Sequence, residues 1–476
     1  MNDPQARRRT VAREDLVLFI NACFACTRQN EFYSDAAGQA VSIGFLHEYI
    51  LGNYRPLYAR TLATGINHFN QAQIVFQLLR SGRETPAEFR AEENALIRAA
   101  LAGLPPQRVY RLFTRLRRAR VNNRRARATI RDYLASRPDP AFHAIKYRSK
   151  LNAASAHAHL KLDVDLRAFL FRPGGDHTYT TPLLRTFREA HYSQKALYEL
   201  PFTVAEGLAQ KHEIPREVFL KKIEPRLTQA ERLRLQQAAQ RSKGVNVEVD
   251  LTRAPLTKLA LYLLSRPLAE REARREEYGE ALVAAAGRAL RRAPARLGKV
   301  AAILDRSYSA SGSSEKRRRP LGVALAASTL LRRAARDYRA LWTPACSDEL
   351  LVQPGGQTNL ADPLLDALEW GAELIVIVSD GFENDPPGAV AQLLAAYRRF
   401  LDPERAVSVI HVNPVFDARN YEPRVLGAGI PTVGVRDAED LPTMLGFARF
   451  VDGSAELPEL EAYLQARVRG FVGGGA

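Results

Sequence analysis

Two sets of residues in this chain have the types and spacing to do chemistry. The first is a group of oxygen donors: Asp305, Ser307 and Ser309 at alternate positions, then Thr358, then Asp380. Two carboxylates and three hydroxyls are hard ligands. Few formal charges with several neutral oxygens suit an octahedral Mg²⁺ or Mn²⁺ that keeps water and an open position. The second is a run of arginines. Residues 108–137 carry eleven arginines and one acid, Asp132. The planar guanidinium makes bidentate contacts with phosphate and stacks on exposed bases. A charge run is ordinarily a solvated face, but this many unneutralised arginines would repel one another on a bare surface. That points to nucleic acid or another polyanion as partner.

The oxygen donors fall at the ends of short apolar segments. KVAAIL at 299–304 runs into Asp305, and ELIVIV at 373–378 runs into Ser379-Asp380. AVSVIHV at 406–412 and PTVGV at 431–435 read as further strands. Between them lie amphipathic helices, LGVALAASTLLRRAARDYRAL at 321–341 and GAVAQLLAAYRRFL at 388–401. Strands apolar on both faces, alternating with helices, predict a parallel sheet covered on both sides. In such sheets ligands sit beyond the carboxyl ends of the strands, where these donors fall.

Residues 1–296 read instead as helix after helix. EDLVLFINACFACTRQNEF, LYARTLATGINHFNQAQIVFQLLRSG and PAEFRAEENALIRAALAGL place apolar residues at three- and four-residue intervals. Turn signals separate them at Gly82, Pro105-Pro106, Pro138, Pro140 and Gly174-Gly175. No clean repeat is visible. Serial helices with short breaks predict an all-α, HEAT-like helical-repeat array with irregular units, whose concave surface suits a long ligand. The expected domains are therefore 1–296, a basic helical array, and 297–476, a Rossmann-like α/β domain.

Charge follows the same division. Of a formal +17, residues 1–296 hold 50 Lys+Arg against 29 Asp+Glu, and residues 297–476 hold 19 against 23. A chain of 476 residues with 46% hydrophobic and 25% charged residues is an ordinary globular composition in two or three domains, which excludes a wholly disordered protein. No apolar run approaches the roughly 18 residues that cross a bilayer. The opening MNDPQARRRTVARED lacks the apolar core of a secretory signal. Three cysteines make no disulfide framework, which fits a reducing cytoplasm. A cytoplasmic protein without a membrane partner is expected.

Asp305-x-Ser307-x-Ser309, Thr358 within GGQTN, and Asp380 occur in order, each at a strand end or loop. Together they resemble the metal-ion-dependent adhesion site of the von Willebrand factor A domain family, over roughly 297–470. The resemblance implies that Ser307, Ser309 and Thr358 touch the metal directly and that Asp305 and Asp380 act largely through water. A carboxylate from a protein partner would complete the shell. Two departures stand out: Tyr308, where the family often has a small residue, and a loop stretched by ASGSSEKRRRP. Lys316-Arg317-Arg318-Arg319 would then hang near the metal mouth, to recruit an anion or sit in solvent.

A basic helical array followed by such a domain resembles the TROVE-type Ro autoantigen family and its bacterial Ro-related proteins. Local echoes are KYRSKLNAASAHAHLKLD at 146–163, ALYELPFTVAEGLAQ at 196–210 and APLTKLALYLLSRP at 254–267. The resemblance implies a ring-like scaffold that binds small structured, non-coding or misfolded RNA, with single-stranded ends passing toward a central hole. Arginine contacts to phosphate would give salt-dependent affinity with little base readout. Local charge density selects Arg117, Arg118, Arg124, Arg125 and Arg127 for RNA. Lys146, Arg148 and Lys150 share the family-like segment. Tyr110, Phe113 and Tyr133 lie among the arginines, to stack bases or to form core.

Other signals carry less. Cys23-x-x-Cys26 has no second pair and lies on an apolar helical pattern, so core thiols are expected. His157 and His159 point apart on a helix. GFVGGGA at the terminus reads as a frayed tail. No Walker A string, nucleophile elbow or HExxH is present, so no enzyme is expected. A competing reading makes the chain an adaptor of an ATP-driven ring chaperone, which presents its metal to a protein partner and uses its basic helices against an acidic protein surface.

Overall fold

The apolar segments form a five-stranded sheet in the computed structural model, which describes residues 4–172, 176–228, 231–232, 235, 251–293 and 295–473. The strands are β1 (Leu297–Asp305), β2 (Ala335–Thr343), β3 (Leu374–Val378), β4 (Ser408–Asn413) and β5 (Thr432–Gly434). Their order is β2-β1-β3-β4-β5, and every pairing is parallel. Helices cover both faces, as continuous apolar strands require. Ala301 and Ile303, Ile375 and Ile377, and Val409 face one way, onto Leu364 and Ala367 of the helix Ala361–Glu369 and Val390 and Leu394 of the helix Ala389–Phe400. The helix Arg319–Ala334, buried along most of its length, packs against β1, β2 and β3. With the helices elsewhere in the chain, the architecture is α with α/β.

The strand β2 corrects one expectation. Residues 335–341 read as the end of a helix, yet the helix stops at Ala334 and the chain enters a strand at once. As an edge strand it exposes charge on both faces, Arg336 on one and Asp337 and Arg339 on the other. Its pattern therefore resembles an amphipathic helix, and only the long-range pairing of Leu297–Asp305 with Ala335–Thr343 decides the matter. The same charges discourage pairing with another chain.

The chain divides into two compact units, one of Met1–Ile74 with Leu251–Ala476 and one of Val75–Asp250. The position 296/297 thus marks where strands begin, while the sheet's unit also takes in helices from before it. The helices Leu256–Leu264 and Arg275–Arg292 pack on Arg319–Ala334. Thr257 donates its hydroxyl to Glu439 (2.6 Å) and accepts from the Ala438 N–H (2.8 Å). At the other edge, the helix Pro4–Ala25 closes β5. The Asn21 amide donates to the Thr432 carbonyl (3.1 Å) and accepts from the Gly434 N–H (3.2 Å), so one side chain does the work of a neighbouring strand. A Cβ at Gly434 would lie 2.6 Å from the Asn21 carbonyl oxygen. Gly434→Ala is therefore expected to push the helix off the edge and to destabilise this unit by about 1–3 kcal/mol, read as a lower denaturant midpoint.

In the unit of residues 75–250, helices from Arg90–Gly103 to Arg216–Ile223 pack mainly on near neighbours in the chain. One core cluster joins Leu197, Leu200, Phe202, Phe219, Leu220 and Ile223. This unit holds 33 Lys+Arg against 18 Asp+Glu, so it carries +15 of the chain's +17. Tyr110, Phe113 and Tyr133 are buried in its core, ring against ring, and Tyr110 is hydrogen-bonded to His143 (3.0 Å). They are packing, not platforms for bases. The last helix, Leu457–Gly473, takes in most of the expected tail; residues 474–476 and Gly174-Gly175 lie outside the described residues.

Candidate functional site

Register brings the oxygen donors together. Leu304 of β1 lies opposite Val378 of β3, so the next residues, Asp305 on one strand and Ser379-Asp380 on the other, leave the sheet side by side. The chain departs from β1 to one side to make β2 and returns to the other to make β3. That reversal opens a crevice at the strand ends. Asp305, Ser307, Ser309, Thr358 and Asp380 are all buried, none more than 6% exposed. The Ser307 N–H donates to Asp305 Oδ1 (2.7 Å), and the Ser307 and Ser309 hydroxyls are 3.2 Å apart. The Phe382 N–H donates to Asp380 Oδ1 (3.0 Å), and Ser309 interacts with the same carboxylate. Thr358 is tied to the segment after Asp380: its N–H donates to Asn384 Oδ1 (2.8 Å) and its carbonyl accepts from Asn384 and Asp385.

Burial, and then the facing Asp380, push the Asp305 carboxyl up to about 7. Burial also raises Asp380. Two carboxylates held out of water against each other, beside two paired hydroxyls, make a donor set that a hard divalent cation would relieve and satisfy. Among the described residues there is no group of three or more His, Cys, Asp or Glu side chains that could hold an ion, so any such site leans on the hydroxyls.

Three aromatic residues at this mouth were not anticipated. Tyr33 lies against Phe382 with the rings tilted by 37° (4.0 Å between centroids), interacts with Ser309 and feels both carboxylates; Phe32 packs on Tyr33 and on Tyr308. Tyr33 lies some 270 to 350 residues from Ser309, the two carboxylates and Phe382, and nothing local in the sequence marks it. The basic string after the site is corrected as well. Lys316 makes a buried ion pair with Glu31, Arg318 donates to the Leu264 carbonyl, and Arg319 reaches Arg436 and Asp437. Only Arg317 of the four is exposed. Ser313 donates to the Asn30 carbonyl (2.6 Å) and Glu315 accepts from Asn30 (3.0 Å), so the stretched loop is bolted to residues 30–31.

Behind the site, His411 bridges Ser379 (3.0 Å) and Thr432 (3.0 Å) across β3, β4 and β5. Its ring is fully buried, and burial holds its pKa down at about 3. The unfolded chain takes up this proton near pH 6.5 and the folded chain does not. Stability from this group is therefore full above pH 6.5 and is lost as pH falls toward 3, by about 2–4 kcal/mol. His411→Gln is expected to flatten that part of the stability–pH profile, measured by denaturant titration from pH 7 to pH 4.

The arginine run splits between structural and open uses. Arg125 donates to Glu93 (2.5 Å), Asn94 (2.7 Å) and Thr85 (3.1 Å). Arg148 donates to the Phe169 carbonyl (2.6 Å) and lies over that ring, and Lys146 lies over Phe142 and Tyr147. Lys150 is half-buried. Arg117, Arg118 and Arg124 are exposed and Arg127 is half-buried. Arg124, Arg125 and Arg127 line one cleft of about 930 Å³ together with Arg83, Arg90 and Arg98, which the sequence reading did not select. Their signal was periodic: Arg90, Asn94 and Arg98 recur every fourth residue, along one helix face. The segment with Lys146, Arg148 and Lys150 contributes nothing to that cleft.

Among solved structures, the chain is similar to that of the Deinococcus radiodurans RO (RSR) protein, at 16% identity and a TM-score of 0.39, over 81% of this chain and 91% of that one. No family model matches the sequence, and no curated protein does. Among the described residues, no helix is long and apolar enough to cross a membrane.

Proposed function

We propose that this protein is an RNA-binding scaffold of the Ro-like kind, which holds small structured or non-coding RNA on its basic helices. The observation that carries this reading is the segregation of charge. Nearly the whole positive excess lies in residues 75–250, with Arg111, Arg117, Arg118, Arg120 and Arg124 exposed along one short stretch. Exposed arginines without acids supply counterion-release affinity for a phosphate backbone. The core positions of Tyr110, Phe113 and Tyr133 favour backbone over base recognition.

On this reading the strand-end cluster is a second, separate site. Ser307, Ser309 and Thr358 with Asp305 and Asp380 would hold Mg²⁺ or Mn²⁺, which when bound offers an open position to a carboxylate from a protein partner. The chain's own part is to present the hydroxyls and keep the two carboxylates fixed by the N–H groups of Ser307 and Phe382. The same cluster is what favours the alternative, an adaptor that docks a protein through its metal and binds no RNA.

Titration of a structured RNA with a single-stranded tail, across salt and again in EDTA, tests the reading. Tight binding with a steep salt slope that EDTA leaves unchanged is the expected result. Binding no better than that of a generic polyanion would sink the RNA assignment and leave the adaptor.

A further inference from the structure

We propose that the arginine-lined cleft in residues 82–132 is a built site for two or more closely spaced phosphates. It deepens the RNA-binding reading and rests on it for the source of the ligand.

The walls come from three places. Gly82 and Arg83 form one side. Arg90, Asn94 and Arg98 stand on one face of the helix Arg90–Gly103, and the segment from Asn122 to Asp132, including the first turns of the helix Arg124–Ala135, forms the rest. Six arginines line the space with one carboxylate, Asp132, and of the six Arg125 is ion-paired behind the wall with Glu93. Such a concentration of like charge is costly unless an anion is present to neutralise it.

A second observation points the same way. Arg125 is held rigidly, its Nε on Asn94 and its Nη1 on Glu93 and Thr85, yet its buried Nη2 has no hydrogen-bond partner among the described residues. Buried donors are nearly always satisfied, so Arg125 is a guanidinium whose protein partners leave part of its hydrogen-bonding capacity unused. A guanidinium held in this way is a fixed positive charge in the cleft wall, so little entropy is lost in ordering it when an anion binds in the cleft.

The lining also says what kind of anion. It contains no aromatic ring, so nothing there would stack a base, and its neutral polar groups are asparagines and a threonine. At about 930 Å³ the cleft far exceeds one phosphate and falls within the range of small-ligand pockets. Many guanidinium forks around such a space suit a run of phosphates, either successive phosphodiesters of an RNA strand or the triphosphate at an RNA 5′ end.

The experiment uses the full chain and three small probes: inorganic triphosphate, orthophosphate and adenosine, titrated by calorimetry. Triphosphate is expected to bind at least tenfold more tightly than orthophosphate, and adenosine not at all. Arg98→Ala with Arg127→Ala should weaken triphosphate at least tenfold with an unchanged melting curve. Arg117→Ala with Arg118→Ala, an equal loss of charge outside the cleft, should weaken it much less. Equal weakening by the two pairs, or no preference for triphosphate, would overturn the site. RNA that binds wild type and the cleft pair alike, and that triphosphate does not displace, would also overturn it while leaving RNA binding intact. Triphosphate binding at the cleft without any RNA binding would support the site and remove the RNA reading. Within a supported site, an RNA with a 5′-triphosphate that outbinds its 5′-hydroxyl form assigns the cleft to the chain end. Equal affinity of the two, both reduced in the cleft pair, assigns it to the backbone.

Discussion

Asp305→Asn is expected to make the metal-free protein more stable and, at the same time, to erase its stabilisation by Mg²⁺ or Mn²⁺. Burial and Asp380 raise the Asp305 carboxyl from an ordinary value near 3.8 to about 7. A raised carboxyl opposes folding once ionised: the neutral form costs nothing below the unfolded value, and stability declines as pH rises toward 7. Asparagine is nearly isosteric, carries no charge, and can still accept the Ser307 N–H. At pH 8 the metal-free variant should therefore gain on the order of 2–4 kcal/mol over wild type. Added metal reverses the ranking. An ion held only by the folded state stabilises wild type by about 2.7 kcal/mol at a concentration a hundredfold above its dissociation constant. The variant, with one carboxylate of the pair gone, should respond little. Melting curves at pH 8 with EDTA and with millimolar Mn²⁺ check both halves. A variant less stable than wild type in EDTA, beside a wild type indifferent to metal, would dismiss the cluster as a cation site.

Reversing three exposed charges, Arg117→Glu, Arg118→Glu and Arg120→Glu, should cut RNA affinity by about ten- to a hundredfold at moderate salt. Each lost phosphate contact removes about 0.7 from the log–log salt slope for a single strand, so the slope should flatten by about 2. These residues close the helix Pro106–Arg118 and the turn after it with their side chains in solvent, and the core beneath rests on Val109, Leu112, Phe113 and Leu116. Stability should hardly move, since surface changes away from the core stay within about 0.5 kcal/mol. Fluorescence anisotropy against a labelled RNA, across salt, supplies the test. An unchanged slope would place the RNA elsewhere.

The strand-end cluster was legible because each part announces itself locally. Apolar runs fix where β1, β3, β4 and β5 lie, and a parallel sheet delivers whatever follows each strand to the same end. Asp305 and Asp380 meet for that reason alone. Edge strand β2 was hidden, because half-exposed Arg336–Tyr338 carries the same amphipathic signature as the helix before it. Tyr33 and Glu31 were hidden by distance along the chain: no period links them to Ser309 or Lys316. The basic string Lys316–Arg319 misled for the same reason, since its acceptors are Glu31, Asp437 and backbone carbonyls far away in sequence. Among the arginines, density found the region but could not separate Arg148, spent on Phe169, from Arg124, which is open. The core role of Tyr110 is likewise a matter of what surrounds it.

Because residues on either side of 75–250 in the sequence build one unit, synthesis imposes an order on folding. The helix Pro4–Ala25 leaves the ribosome early, but the β5 edge that Asn21 closes is made more than 400 residues later. At roughly 5–20 residues per second that is a wait of tens of seconds. Residues 75–250 can complete their own core meanwhile. During that interval Phe19 already has His47 and Tyr58 to pack on, while Asn21 and Ala25 lack the β5 edge that covers them in the finished protein. A nascent chain stalled before residue 432 should thus leave the β5-facing side of the helix Pro4–Ala25 open to protease, a vulnerability that vanishes when that strand emerges.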